Sequence, residues 1–459
     1  MAALDTIFKA YDIRGVVPDE LDAGLARVIG AAFARFTGAS RLLVARDMRE
    51  SGVALVNAFV AGAVSQGVDV VDLGLASTDL LYFASGSLDA PGAMFTASHN
   101  PARYNGIKLC RAGAAPVGEE TGLAQVKALV AEGGPPPAPG EPGTVTHQDL
   151  LDAYATHVRS FVDVGALRPL KVVADTANGM GGLVVPAVFA GLPFDVEVLY
   201  PELDGRFPNH PADPIQPENL KDLQARVLEV GADVGLAFDG DADRVFLVDE
   251  QADPVSGSTT TALVARGILA KHPGSTVIHN LICSKAVPEV IREAGGTPVR
   301  TRVGHSFIKT VMAETGAVFG GEHSGHYYFR DNYRADSGLI ASLVVLEQLS
   351  TASQPLSALR RPLERYAMSG EINTEVPDPP AVVERVAATY EGRGATLDRL
   401  DGLTVDFGDW WFNLRPSNTE PLLRLNLEAP DRAACDAHVA EVLSLVTAAG
   451  VAGAGRAAT

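Results

Sequence analysis

RLLVARDMRESGVALVNAFVAGAVSQGVDVVDLG, residues 41–74, holds two short apolar runs separated by one helix-like stretch. RLLVARD (41–47) and VDVVDLG (68–74) are apolar almost throughout their centres, as strands buried on both faces are, and 52–67 has helical periodicity. Two buried strands joined by a helix predict a βαβ unit and a parallel sheet. The rhythm extends outward, to a helix over 23–36 and a strand in GAMFTAS (92–98). It recurs in LKVVADTANG (170–179), ADVGLAFDGD (232–241), STVIHN (275–280) and GAVFGGEHSG (316–325). After a break near SGEINTEVPDPP (369–380) the pattern changes to strands around WWFNLRP (410–416) and LLRLNLEA (422–429), then one helix over 431–449. The expectation is an α/β body with a small α+β domain appended.

At 459 residues the chain is about three times a ~150-residue domain, so several cores are expected. Its 47% hydrophobic and 20% charged residues are a globular composition rather than a disordered one. The 56 Asp and Glu outnumber 37 Lys and Arg, and the resulting charge of −19 excludes whole-surface attraction to nucleic acid or an anionic membrane. Any anionic ligand must therefore be met by cations gathered locally. Cys110, Cys283 and Cys435 lie far apart with no CxxC, as expected for free thiols of a reducing cytoplasm. MAALDTIFKAYDIRG shows no basic segment followed by an apolar one, so no secretory leader is expected. The apolar helical stretch 338–349 is too short, and too interrupted by Ser342 and Glu347, to span a bilayer. GGPPPAPGEPG (133–143) has nine Gly or Pro in eleven positions and reads as a linker or a surface loop. PELDGRFPNHPADPIQP (201–217) reads as an ordered irregular loop.

Four polar loops each follow an apolar strand, where ligands of open α/β sheets bind. TASHNP (96–101) sets the Ser98 hydroxyl beside His99 and Asn100, as a turn, a helix cap, or a nucleophile or phosphoryl carrier. The absence of GxSxG disfavours an α/β-hydrolase. In DGDADR (239–244), Asp239, Asp241 and Asp243 repel one another unless a hard divalent cation such as Mg²⁺ joins them. With Glu250 they match four positions of an EF-hand loop, but Arg244 stands where that loop needs Gly. An aspartyl-nucleophile phosphatase lacks its Thr or Val after Asp243, and a plain acidic turn is the remaining alternative. GGEHSGH (320–326) offers Glu322, Ser324 and His326, and RPSNTEP (415–421) offers Arg415, Ser417, Asn418 and Thr419, a donor set suited to phosphate. No Walker or GxGxxG loop supports nucleotide binding. Lys9, Arg14, Lys108, His305 and Lys309 add cations that matter only if the fold gathers them.

FKAYDIRG (8–15), TASHNP, DGDADR, GEHSGH and RPSNTEP, in this order and spacing, resemble the α-D-phosphohexomutase superfamily, in its phosphomannomutase/phosphoglucomutase branch. The resemblance implies three α/β domains sharing a mixed-sheet core plus a smaller C-terminal α+β domain around a central cleft, with boundaries at 1–150, 151–253, 254–366 and 367–459. It implies an isomerase that interconverts mannose 6-phosphate and mannose 1-phosphate, and the glucose pair, through a phosphoserine and a 1,6-bisphosphosugar. The alternatives are a phosphoglucomutase, a phosphoglucosamine mutase and, from another class, a Mg²⁺-dependent sugar phosphatase. Ser98 matches the phosphoryl carrier, and Asp239, Asp241 and Asp243 match the Mg²⁺ ligands, with a phosphoserine oxygen completing the shell. Glu322 and Ser324 match sugar-hydroxyl contacts, and Arg415, Ser417, Asn418 and Thr419 match the loop for the phosphate not being transferred. Tyr11, Arg14, Lys108, Lys285, His305 and His326 match cleft positions. Lys108 and His326 are the proton-transfer candidates, and Arg14 and Arg244 join the catalytic set. The implied partners are a phosphosugar and a 1,6-bisphosphate of glucose or mannose as activator, for a monomer or homodimer of the cytoplasm. Two departures stand out: DMR (47–49) replaces DGR, and Ala242 replaces the usual Gly among the metal carboxylates. Asn418 rather than Gly, and His323 rather than Gln, argue against the glucosamine branch.

Overall fold

The apolar runs become the strands of four sheets. The computed structural model describes residues 4–416 and 422–454, with His305 and residues 449–454 described by backbone alone. In the first sheet Arg41–Arg46 runs parallel to Asp69–Leu75 on one side and Gly92–Phe95 on the other. Tyr104–Arg111 and Ile13–Val16 extend it antiparallel. The first long helix, Ala23–Thr37, is started by Asp22, whose carboxylate accepts the Leu25 N–H, and stopped by Gly38 in the left-handed region.

The second sheet sets Lys171–Asp175, Asp195–Leu199 and Val234–Phe238 parallel, with Val245–Asp249 and Pro254–Val255 antiparallel. The third sets Thr276–Asn280, Thr297–Thr301 and Phe319–Gly321 parallel, with Tyr327–Phe329 antiparallel. The fourth is wholly antiparallel, in the order Ala367–Glu375, Leu422–Ala429, Trp411–Pro416, Leu403–Asp406, Thr396–Asp398. The helices Pro379–Tyr390 and Arg432–Ala454 accompany it. The fold is thus three α/β units with mixed sheets and a smaller α+β unit.

In each of the first three units a parallel strand is followed directly in the chain by an antiparallel neighbour. Loops 96–103, 239–244 and 322–326 connect antiparallel neighbours, and 417–421 falls between a paired couple in the fourth unit. Three equivalent hairpin ends therefore carry the first three polar loops. The first three units also share one apolar core, in which Leu81 and Met94, Leu236 and Phe238, and Leu343 and Val344 belong to a single buried cluster. The fourth unit has its own core around Phe412, Leu425 and Val442 and meets the third through ion pairs, Lys285–Asp406 and Arg300–Asp398.

Two segments read differently from their composition. Residues 133–143 lead back into Val145–His147, which joins the first sheet beside Asp69–Leu75, so this stretch is a surface loop of one unit. Residues 369–375, read as a break, belong to the nine-residue strand Ala367–Glu375; alternate exposure and a bulge between Met368 and Glu371 hide its periodicity. Among the described residues no helix is long and apolar enough to cross a membrane.

Candidate active site

The first and second hairpin loops meet almost without a gap. Ser98 sits in the left-handed region at φ 49°, its N–H bonded to Thr96 Oγ1 at 2.9 Å. Its hydroxyl donates to Asp239 Oδ2 across the domain boundary at 2.7 Å. Gly240 makes that approach possible, because a Cβ there would lie 2.4 Å from the Ser98 carbonyl oxygen. Thr78 fastens the same junction, giving its N–H to the Asp241 carbonyl at 3.1 Å and its hydroxyl to Asp241 Oδ2 at 2.6 Å. Ala242 takes φ 60°, a conformation that costs a non-glycine residue about 1–2 kcal/mol, and the loop closes nonetheless.

Asp239, Asp241 and Asp243 are buried and bring carboxylate oxygens within 4.8 Å of one another. Lys108 Nζ donates to Oδ2 of both Asp241 and Asp243 at 2.7 Å. Arg244 holds Asp239, with Nε 2.9 Å from Oδ2 and its backbone N–H 3.2 Å from Oδ1. Burial pushes Asp239 and Asp243 up, and the neighbouring carboxylates add to the rise. Burial also opposes ionisation of Asp241, but Lys108, with the Thr78 hydroxyl and Arg244, together more than offset it and hold that carboxyl well below the usual range. Among the described residues neither Oδ1 of Asp241 nor Oδ1 of Asp243 has a hydrogen-bond partner, and Arg244 Nε lies 4.0 Å from the latter. Buried anionic oxygens left in this way call for a cation, and a donor set of oxygens alone suits a hard divalent ion. The residues present fit Mg²⁺.

Around this centre stand the remaining loops. His99 Nδ1 accepts from Arg244 Nη2 at 2.6 Å; burial, then Arg244 and Arg14, hold its ring well below the usual histidine range. Arg14 bridges Asp12 and Asn100. A backbone bridge between Arg244 and His326 joins the second loop to the third. There Glu322 is buried and over-determined: Tyr328 OH donates to Oε1 at 2.6 Å, while Asn280 Nδ2 and the Gly304 N–H reach Oε2 at 3.0 and 3.2 Å. Ser324 Oγ meets His326 Nδ1 at 3.0 Å. Tyr11 OH donates to the Val303 carbonyl at 3.3 Å; burial raises its pKa first, then Asp401 and Glu322, against Arg302 and Arg415. Tyr11 is therefore the point where the first, third and fourth units meet, beside a cavity of about 710 Å³ also lined by Lys9, Arg302 and Phe307.

The structure thus gathers Ser98, Lys108, the three aspartates, Arg244, Arg14 and His326 into one group, with Glu322, Ser324 and Tyr11 nearby. Arg415 lies at its edge, 3.7 Å from Asp401. Lys285 stands apart: its ammonium is bound to Asp406 Oδ1 at 2.6 Å and the Gly408 carbonyl at 2.7 Å, in a separate cavity between the third and fourth units. His305 opens the helix His305–Thr315, and its side chain lies outside the described residues, as do Ser417, Asn418 and Thr419. The sequence reading missed Thr78, Asn280, Tyr328 and Asp401, which lie outside the polar motifs and are drawn in by the tertiary fold.

The chain matches four family models in succession. They are phosphoglucomutase/phosphomannomutase alpha/beta/alpha domain I over residues 5–134, domain II over 152–253, domain III over 256–366 and the C-terminal domain over 371–445. Phosphohexose mutases from Xanthomonas campestris pv. campestris are 43% identical over 443 residues, covering 96% of this chain and 98% of theirs. A phosphomannomutase from Salmonella montevideo is 40% identical over 450 residues, covering 96% and 99%. The crystal structure of a phosphoglucomutase/phosphomannomutase family protein from Burkholderia thailandensis superposes with a TM-score of 0.89 at 34% identity, covering 98% of each chain. With the domains matched in order and relatives alike over nearly their full length, the chain belongs to the phosphoglucomutase/phosphomannomutase family.

Proposed function

We propose that this chain is a phosphomannomutase that also accepts the glucose phosphates, moving a phosphoryl group between O1 and O6 of the hexose by way of Ser98. The observation that carries the reading is the Ser98 hydroxyl bonded at 2.7 Å to a buried aspartate of another unit, within an acidic triad that fits Mg²⁺. A lone nucleophilic serine has no use for three carboxylates; a phosphoserine that shares a cation with them does.

The residues divide the work as follows. Ser98 holds the phosphoryl group, and its loop packs closely against Gly240. Asp239, Asp241 and Asp243 would hold a magnesium ion, which would supply neutralisation of charge on the phosphoryl and serine oxygens. Lys108 and Arg244 spread positive charge over the same oxygens. Glu322, fixed by Tyr328, Asn280 and Gly304, and Ser324 orient the sugar hydroxyls. The attacking hydroxyl forms the new P–O bond as the Ser98 Oγ–P bond breaks. Its proton passes to His326, because the Lys108 ammonium already donates to two carboxylates and has no lone pair to offer. The 1,6-bisphosphosugar then turns round, and its other phosphate returns a phosphoryl group to Ser98. Arg415 with Ser417, Asn418 and Thr419 grips whichever phosphate is idle. A 1,6-bisphosphate of glucose or mannose primes the enzyme, and the unpaired buried thiols suit a reducing cytoplasm.

The test is kcat/KM for mannose 1-phosphate, glucose 1-phosphate and glucosamine 1-phosphate side by side, with free phosphate measured in the same reactions. Mannose and glucose should turn over with little phosphate release. A preference for glucosamine 1-phosphate refutes the substrate assignment, and stoichiometric free phosphate makes the enzyme a phosphatase.

A further inference from the structure

Arg49 is the last residue of DMR (47–49) and one of the largest fully buried side chains in the protein, 1% exposed. The turn that presents it needs no glycine, since Asp47 Oδ1 accepts the Arg49 N–H at 2.9 Å and Met48 is buried in the core. A guanidinium has five N–H donors, and here all five are placed. Nε donates to Asp47 Oδ2 at 3.1 Å. Nη1 donates to the carbonyls of Pro101 and Tyr104 at 2.9 and 3.0 Å. Nη2 donates to those of Ser98 and Asn100 at 2.9 and 2.6 Å. Apart from its neighbour Asp47, every partner is a backbone oxygen of the Ser98 loop or the first residue after it. Four carbonyl dipoles converging on one buried point repel one another unless a cation sits there. The second unit closes the site from above: the Phe207 ring centroid lies 5.1 Å from the guanidinium carbon, and a Cβ on Gly205 would come 2.7 Å from Arg49 Cα. This is what the Pro-dense loop 201–217 covers.

We propose that Arg49 is the positioning residue of the phosphoryl-carrying loop: it draws the carbonyls of residues 98, 100, 101 and 104 to one point and so holds Ser98 in its left-handed conformation, aimed at Asp239. This rests on the reading of Ser98 as the carrier. Arg49 touches no reacting atom. Its effect is on geometry, so its loss belongs in kcat and leaves the grip on the sugar, made by other loops, nearly unchanged. Lysine cannot replace it, since an ammonium has three donors on one atom and no planar fork to reach four carbonyls.

Arg49→Lys, Arg49→Ala and Ser98→Ala are to be assayed together, with rates per folded molecule taken from thermal melts. The expected result for Arg49→Lys is a kcat about 100-fold lower, the loss associated with roughly 1 Å of misplacement, and KM within about threefold. Arg49→Ala should regain part of its rate with added guanidinium and none with the same concentration of ammonium. A kcat for Arg49→Lys within about threefold of wild type overturns the proposal, as does a folded Arg49→Ala that guanidinium does not restore; if Arg49→Ala does not fold, Arg49→Lys decides alone. Activity surviving in Ser98→Ala removes the carrier reading itself, whereas an inactive Ser98→Ala beside a fast Arg49→Lys removes only the positioning role.

Discussion

Replacing Gly240 by alanine adds one methyl group at the tightest point between two units. The new Cβ would stand 2.4 Å from the Ser98 carbonyl oxygen, where ordinary contact begins at 3.4 Å, so the two loops must part by about 1 Å. Neither side gives easily: the oxygen is backbone, held by Arg49, and the strands on both sides of residue 240 are buried along their length. A 1 Å shift stretches the 2.7 Å bond from Ser98 to Asp239 beyond hydrogen-bond range. Misplacement on that scale costs about 100-fold, which is about 2.7 kcal/mol in the barrier. Overpacking should lower stability by about 1–3 kcal/mol as well. Steady-state kinetics with saturating bisphosphate primer should give a kcat about 100-fold lower, with KM changed less than about threefold because the sugar is held by the third and fourth units. A Gly240→Ala enzyme that turns over within about threefold of wild type would refute the claim that the two loops form one rigid site.

Two further outcomes are expected. Lys108→Met removes the cation from two buried carboxylates, an uncompensated loss of about 3–5 kcal/mol without metal, so magnesium should raise its melting temperature more than that of wild type; an equal or smaller rise contradicts the placement of the ion. His279 lies buried in Thr276–Asn280, and burial lowers its pKa to about 4. A depressed histidine contributes stability that is complete above its unfolded pKa of about 6.5 and is lost as pH falls towards 4. From about pH 7.5 to about pH 5.5 the folded state should lose about 1 kcal/mol through this residue, so the stability gap between wild type and His279→Gln should narrow by that amount, and a constant gap would contradict the burial argument.

The α/β rhythm was legible because buried parallel strands such as 41–47 and 234–238 are apolar on both faces, a pattern that needs no tertiary knowledge. Ala367–Glu375 was not, since half its side chains face solvent and a bulge breaks the alternation. Ser98, the three aspartates and Glu322 each had a plain structural reading alone and stood out because five polar motifs occur together in one order and spacing. Arg49 entered the sequence reading only as the last residue of DMR, whose departure is Met48; apart from Asp47 its partners are backbone carbonyls, which no side-chain pattern records. Thr78 and Tyr328 were invisible for the related reason that tertiary packing brings them to Asp241 and Glu322. Lys285 shows the opposite case: the resemblance places it in the cleft, while Asp406 holds its ammonium at the boundary with the fourth unit.

The most direct test of the account follows one phosphoryl group. The enzyme is treated with a hexose 1,6-bisphosphate and magnesium, digested, and analysed by mass spectrometry before and after exposure to unlabelled mannose 6-phosphate. One phosphoryl group should appear on the peptide containing Ser98, pass to the sugar on exposure to substrate, and be absent from Ser98→Ala, which should bind substrate and not turn it over. Phosphoryl transfer through a different residue, or mutase activity persisting in Ser98→Ala, would contradict it.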